Sequence, residues 1–566
     1  MPKVHVQRVP SPLRHAVRFC PYSLVYSVGY VLNLVLIPFK AYLSEPFPWQ
    51  LQPLSSLNLN LDAPFDVFSN TTVTYFATKY NQESVPPDVV FTKDRDANTY
   101  LVHFLLALPP AGDARCVDYL HYFPGASDRV HPQSHVAGAH FFSQGMSTFL
   151  CDYVGQNTSS RLTDQSYECQ QLAFLGLRVA VSCTWIVVSM ADSNTYDIYH
   201  AAQLLEAPVV SWINFGLRCG LVGYIGRAMW QLYYRHYGPL LHNLRTLGLP
   251  TTKTSDSYDV QLGDPSWLIL SHPFVSLFML LDCFANAMYG GASSTRTSQL
   301  SDMGEFCLGC LYGSRTVWAA YTLMRYATSW IHRRQWEQYF EPLDPGLLAL
   351  TASFYAGPVM YIISRTQVVW VVQWLQASLL PEAQRQHGVE SSPLLLTFLL
   401  VMVTVPVVHS FLNQKIHHHF NKRITLSTHI SDKFASSHFS DWKHWLLFRW
   451  RGRLECATKE GGTLYHLFAT NPRYRNFPLF STRGSDCFVY CVDGDTGSIV
   501  RQVRLSLIHA LDRQTTCPSL EIPICPLDHP TCAVSILDAS VCCPSKEASP
   551  STKFLHVGAN DCQWVK

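Results

Sequence analysis

The chain has 566 residues, of which only 14% are charged and 13% aromatic, and its net charge is +2. Soluble domains carry about 25% charged residues, so the composition argues against an ordinary soluble protein, and the near-neutral balance gives no basic field for a nucleic-acid partner. The 18 cysteines form no small secreted framework, because Cys20, Cys183, Cys219, Cys283, Cys307 and Cys310 fall in apolar stretches where a thiol acts as a small hydrophobe.

A bilayer core needs roughly 20 mostly apolar residues per helix. Seven stretches reach that length: Phe19–Phe39, Leu172–Met190, Ala207–Trp230, Trp267–Met288, Phe306–Trp330, Leu347–Leu375 and Pro393–Leu412. The first, preceded by a basic segment at 1–18, reads as an uncleaved anchor at 19–39. Residues 40–171 read as a soluble α+β domain, with strand-like runs at Thr72–Phe76 and Thr99–Phe104 between turn signals. The block 172–412 supplies six helices. After it come a basic, aromatic juxtamembrane segment (413–453), a small β-rich region (454–514) and a Pro-, Cys- and Ser-rich end (515–566) with the composition of disorder. The expected fold is an all-α, multi-pass transmembrane bundle of about seven helices, six to eight, with the α+β domain between its first two spans and a cytoplasmic tail containing the short β-rich region.

Lys and Arg set orientation. Arg235, Arg245, Lys253, Arg333, Arg334, Lys415, Lys422, Arg423 and Lys433 fall on one side and only Arg296 and Arg385 on the other, nine against two. This expects a membrane location, plasma membrane or endomembrane, with the tail cytoplasmic. Lys3, Arg8, Arg14 and Arg18 would hold the amino terminus on the same side, which conflicts with an odd count of seven. The segment Val136–Val154 is the candidate for a missed crossing. The two sequons, at Asn70 and Asn157, do not arbitrate.

A charge at a helix centre in lipid costs about 2.5–3.5 kcal/mol and turns inward to a partner. Arg218, Arg315, Arg365 and Asp282 lie well inside their stretches, whereas Arg178, Arg227 and Arg325 lie nearer the ends and snorkel. Asp282 is expected to pair with Arg218 or Arg315. Three central arginines against one carboxylate leave a cationic surplus suited to an anionic solute or a lipid phosphate. Tyr312, Arg315, Thr322 and Tyr326 follow helical spacing and would line such a site. Gly216-x-x-x-Gly220 and Gly309-x-x-x-Gly313 are small-residue pairs that let helices approach.

No metal or cofactor is expected. His121, His131, His135 and His140 are interrupted by Pro132 and Gly138, and His417, His418, His419 and His429 read as a juxtamembrane polar run. Asp493-Gly494-Asp495-Thr496 follows a strand, Cys487–Val492, and reads as a hairpin connection to a second run at Ser498–Leu507. In Ser437–Arg453, Phe439, Trp442, Leu446 and Trp450 share one helical face ringed by basic residues, the pattern of a helix lying on anionic lipid. Three functions follow. The first is a transport or ligand-binding bundle for an anionic solute or lipid, and the second a receptor-like or scaffold membrane protein acting through its soluble segments. The third, a membrane-embedded enzyme, has no convergent acid/base or metal set. Arginines sharing a wet cavity favour the first, and a dry packed interior favours the second.

Overall fold

A computed structural model describes residues 15–52, 63–81, 85, 91–109, 142–189, 194–246, 255–297, 302–340, 343–364, 384–421, 458–461, 487–505, 520–523 and 554–557, apart from a few positions within those stretches. β1 (Ala16–Phe19) leads into α1 (Pro21–Val35), then a 3-10 turn, Ile37–Leu43. A domain follows, built from α2 (Phe65–Lys79), β2 (Phe91–Asp94), β3 (Thr99–Ala107), α3 (Gln144–Gly155), α4 (Thr158–Thr163), β4 (Tyr167–Phe174), β5 (Leu177–Val188) and β6 (Thr195–Leu204). Next come α5 (Pro208–Leu232), α6 (Tyr237–Thr246), β7 (Ser257–Gln261), α7 (Ser266–Leu270), α8 (Pro273–Ala285), α9 (Ala287–Thr297) and α10 (Met303–Gly313). A 3-10 turn, Ser314–Thr316, joins α10 to α11 (Val317–Arg334), followed by α12 (Pro345–Ser364), β8 (Gln384–Arg385), β9 (Gly388–Glu390) and α13 (Ser392–Asn421). The tail adds β10 (Thr458–Gly461), β11 (Cys487–Val492), β12 (Ile499–Leu505), β13 (Leu520–Pro523) and β14 (Phe554–Val557).

The larger sheet has seven strands in the order β2-β3-β6-β5-β4-β9-β8. Alternation along β5 and β6 gives it two buried faces. Val181, Cys183, Trp185, Tyr199 and Ala201 pack beneath Phe68 and Phe76 of α2, while Ile186, Tyr196 and Ile198 pack beneath Met146 and Leu150 of α3. Cys169 of β4 and Cys183 of β5, opposite each other in the ladder, form a disulfide, and Cys151 of α3 is disulfide-bonded as well. The free cysteines among the described residues, Cys20, Cys219, Cys283, Cys307, Cys310, Cys487 and Cys491, all lie outside this domain.

The second sheet gathers strands from three distant parts of the chain, in the order β1-β7-β11-β12-β10. β7 pairs in parallel with β1 on one edge and antiparallel with β11 on the other. Its Tyr258 and Val260 share a core with Val489 of β11, Tyr233 and Tyr237 beyond α5, Trp267 of α7 and Trp318 of α11. β13 and β14 form a separate two-stranded pair.

This is a mixed α/β architecture, which overturns the all-α, multi-pass seven-helix expectation. Among the described residues two helices are long and apolar enough to cross a membrane, Pro208–Leu232 and Phe398–Ile416, or up to four counting two bent pairs. Those pairs are Pro21–Val35 with Ile37–Leu43, bent by 65°, and Pro273–Ala285 with Ala287–Ser293, bent by 69°. The described part of the stretch Leu172–Met190 is no span: it belongs to the β4–β5 hairpin. Leu175 and Gly176 turn it with positive φ of 51° and 78°, the two-residue turn whose twist suits paired strands. Both turn N–H groups donate to the Glu390 carboxylate, at 2.7 and 3.0 Å. A strand covered on both faces reads as a continuous apolar run, which is why counting apolar residues mistakes it for a helix.

Ala207–Trp230 corresponds to the single helix α5, whereas other stretches are broken. Trp267–Met288 is divided among α7, α8 and the start of α9, and Phe306–Trp330 is interrupted by the 3-10 turn. The described part of Leu347–Leu375 ends with α12 at Ser364. In the domain before α5 the run Thr72–Phe76 lies in helix α2 rather than a strand. The hydroxyls of Thr71, Thr72, Thr74 and Thr78 each donate 2.7 Å bonds to the carbonyl four residues back, so β-branched residues are accommodated in the helix. Within Val136–Val154 the described part is loop entry and α3, packed on the sheet.

Candidate functional site

Four charged side chains close on one another where the helices meet the larger sheet. Glu45 follows the first 3-10 turn, Arg218 sits in α5, Asp282 in α8 and Arg315 in the second 3-10 turn. Glu45 Oε2 lies 2.5 Å from Arg218 Nη1, and Glu45 Oε1 accepts from Arg315 Nη1 at 3.1 Å. Asp282 Oδ1 accepts from Arg218 Nε at 2.9 Å, and Asp282 Oδ2 accepts from Arg315 Nη2. Each carboxylate therefore bridges both guanidinium groups, and the four formal charges sum to zero. Glu45 and both arginines are at most 3% exposed, and Asp282 is 10% exposed.

Neutral groups occupy the remaining lone pairs. The Tyr312 hydroxyl is 3.2 Å from Glu45 Oε1, and Asn286 Nδ2 donates to Asp282 Oδ1 at 3.2 Å. Tyr42 and Tyr312 present their ring faces to Arg218 and Arg315 at 4.9 and 5.0 Å, a favourable placement for a desolvated cation. This meets the condition under which a buried charge is tolerated: opposite charge together with hydrogen bonds.

The cluster has polar neighbours that tie the helices to the sheet. Arg296 of α9 pairs with Glu305 of α10 and donates to Leu43 O at 2.8 Å and Ser44 Oγ at 2.9 Å. Lys93 of β2 and Tyr100 of β3 both donate to Ser44 O. Glu206, buried between β6 and α5, accepts from the Tyr289 hydroxyl, which itself accepts from Asn98 Nδ2 at 2.7 Å. Burial holds the Glu206 carboxyl above its ordinary pKa. Lys40 donates to Asn33 Oδ1 at 2.8 Å, Ser353 Oγ at 3.1 Å and Ser314 Oγ at 3.2 Å.

Of the ligand residues expected from sequence, the structure gathers Arg218, Arg315 and Tyr312. Tyr326 is 73% exposed and far from them in character, because the stripe drawn from Tyr312 to Tyr326 assumes one continuous helix and the 3-10 turn at Ser314–Thr316 breaks the phase. Arg365 and the interface residues Phe439, Trp442, Leu446 and Trp450 lie outside the described residues, as do His121, His131, His135, His140 and His429. Asp282 contacts both arginines rather than one of them. Glu45 is the residue sequence reading missed, because it stands outside every apolar stretch, in Leu43-Ser44-Glu45-Pro46. A carboxylate just beyond the end of an apolar run was the available signal.

The space beside the cluster is small. A cavity of about 30 Å³ lies among Cys283, Asn286, Ser293, Tyr312, Arg315 and Thr316. Arg315 Nε, at its wall, has no hydrogen-bond partner among the described residues. No group of three His, Cys, Asp or Glu side chains placed to hold a metal occurs among the described residues. Compared with known proteins, the chain matches no family model, no curated protein and no solved structure.

Proposed function

We propose that this chain is a membrane-inserted scaffold or receptor-like protein, with a disulfide-bonded sheet domain on one side of a bilayer and the tail-bearing sheet on the other. The observation that carries the reading is the outward apolar face of the helices. Among the described residues two helices are long and apolar enough to cross a membrane, or up to four counting both bent pairs, and of these α5 alone separates the larger-sheet strands β2–β6 from β7 in the chain.

The helices turn apolar side chains outward, where a helix on a soluble core is polar. Val25, Val28 and Leu32 of α1 are exposed while Ser23 and Ser27 are buried, and Val209, Ile213 and Leu217 of α5 are exposed while Arg218 is buried. Phe274, Leu277, Leu281 and Phe284 of α8 and Val408, Leu412 and Ile416 of α13 are exposed as well. Exposed apolar faces on four helices fit a lipid bilayer as their partner. Sidedness has two supports. Disulfides form in oxidising compartments, and they sit in the larger-sheet domain. The basic residues Arg18, Arg235 and Arg245 lie in or between β1 and β7 in the chain, which supports a cytoplasmic side for the second sheet and tail.

The closed charge cluster favours the scaffold over an anion carrier. Both arginines are neutralised by Glu45 and Asp282, so this cluster offers no cationic surplus to a solute, and the adjoining cavity is small, about 30 Å³. Alkaline carbonate extraction of one membrane sample, and protease digestion of a second, sealed sample from outside, test the reading. The full chain should stay in the pellet, and a tag after Lys566 and the disulfide domain should differ in protease access. Release into the supernatant, or equal access of both, would overturn it. Anion flux through vesicles carrying the purified chain, above that of empty vesicles, would restore the carrier.

A further inference from the structure

We infer that Asn70 and Asn157 carry asparagine-linked oligosaccharides. Asn70-Thr71-Thr72 and Asn157-Thr158-Ser159 are the acceptor pattern, and in sequence alone two such matches carry little weight. The fold adds three things. Both asparagines are exposed. Both belong to the domain whose cysteines Cys151, Cys169 and Cys183 are disulfide-bonded, and neither lies in a candidate span. Asn70 stands on the outer side of α2, whose inner side, Phe68 and Phe76, is fully buried against the sheet. Asn157 stands in the junction between α3 and α4. Neither asparagine is part of the packed faces of the sheet, so a bulky polar chain at either position leaves those faces covered.

The chemistry is glycosyl transfer onto an amide. The side-chain nitrogen of each asparagine forms a bond to the anomeric carbon of an oligosaccharide carried on a lipid diphosphate. The bond from that carbon to the diphosphate oxygen breaks, the lipid diphosphate leaves with the electron pair, and the amide nitrogen gives up one proton to the transferring enzyme's base. No oxidant or reductant enters. The acceptor must meet the enzyme on the non-cytosolic side and before folding, while the chain is extended. Thr72 is buried in the folded domain, so the enzyme reads it on the nascent chain. The inference rests on the sidedness proposed above.

Translation of the full chain into sealed endoplasmic-reticulum microsomes tests it. The product should run two discrete steps above its size after treatment with peptide N-glycosidase. Asn70→Gln and Asn157→Gln should each remove one step, and the double variant both. Protease added outside the same microsomes, with an antibody to the disulfide domain, reads sidedness independently of any glycan. A protected domain without mobility steps overturns the glycans and leaves the sidedness standing. A digested domain without steps overturns both. A variant that fails to remove its step overturns the assignment of that asparagine.

Discussion

Glu45 and Arg218 meet at 2.5 Å, the first from a loop after a 3-10 turn and the second from the interior of α5. Removing one member of a buried ion cluster leaves uncompensated charge and costs about 3–5 kcal/mol. Glu45→Gln should therefore lower the yield of folded protein in detergent and its melting temperature, and Arg218→Gln added to it should recover part of the loss. Strictly additive losses would count against direct pairing.

Asp282→Asn should behave similarly, with one difference. Asp282 accepts from Arg218, Arg315 and Asn286, so neither Arg218→Gln nor Arg315→Gln alone should restore it fully. Complete rescue by one arginine would reduce the cluster to a simple pair.

Glu206 gives a pH dependence. Its folded pKa is raised by burial, so the folded state holds this proton more tightly than the unfolded chain does. Its contribution to stability is present in full below the ordinary glutamate pKa and is lost as pH rises through the folded value. Each tenfold difference in proton affinity corresponds to about 1.4 kcal/mol. Glu206→Gln can still accept from Tyr289 and carries no charge. It should melt higher than the parent at neutral pH, with the gap closing toward pH 4; a gap that stays constant with pH would refute the assignment.

The two glycine pairs should separate sharply. A Cβ at Gly309 would stand 2.6 Å from Thr297 Cγ2 and 3.1 Å from Ser293 O, whereas one at Gly216 meets nothing within 4 Å. Gly309→Ala should destabilise by about 1–3 kcal/mol through overpacking. Gly216→Ala should be neutral or raise stability by up to about 1 kcal/mol, since alanine is the better helix former. Thermal unfolding of both variants in one detergent makes the comparison.

Cys169 and Cys183 close a short loop, with a sequence separation of 14. A loop of this size is worth about 3 kcal/mol through the unfolded state. Cys169→Ser should lower the unfolding midpoint of the sheet domain, and the parent should lose at least as much under reductant, which also opens the Cys151 disulfide.

What the sequence disclosed tracks how local each signal is. The helical character of Ala207–Trp230 and the strands Thr99–Phe104 and Cys487–Val492 were legible, because each is set by its own periodicity. Leu172–Met190 was not, since a doubly covered hairpin and a buried helix share an apolar composition; Gly176 and the run of β-branched residues after it were the overlooked signs. The second sheet was beyond reach, because β1, β7 and β11 meet only through tertiary pairing. Arg218, Asp282 and Arg315 stood out by their expense in an apolar setting. Glu45 did not, since a carboxylate in a polar loop is ordinary until the fold buries it.

The position of β7 between β1 and β11 imposes an order on synthesis. β1 is already made when β7 emerges, but β11 follows only after the last apolar helix. Until then the far edge of β7, with Tyr258 and Val260, presents unpaired backbone groups that can recruit another chain. Each molecule thus passes through an adhesive stage whose length is set by the time the ribosome needs to reach Val492. A product truncated before Cys487 never leaves that stage and should self-associate, as read by its elution in detergent. A peptide covering Cys487–Leu505, supplied in trans, should cap the edge by strand addition and return the truncated chain to a single species.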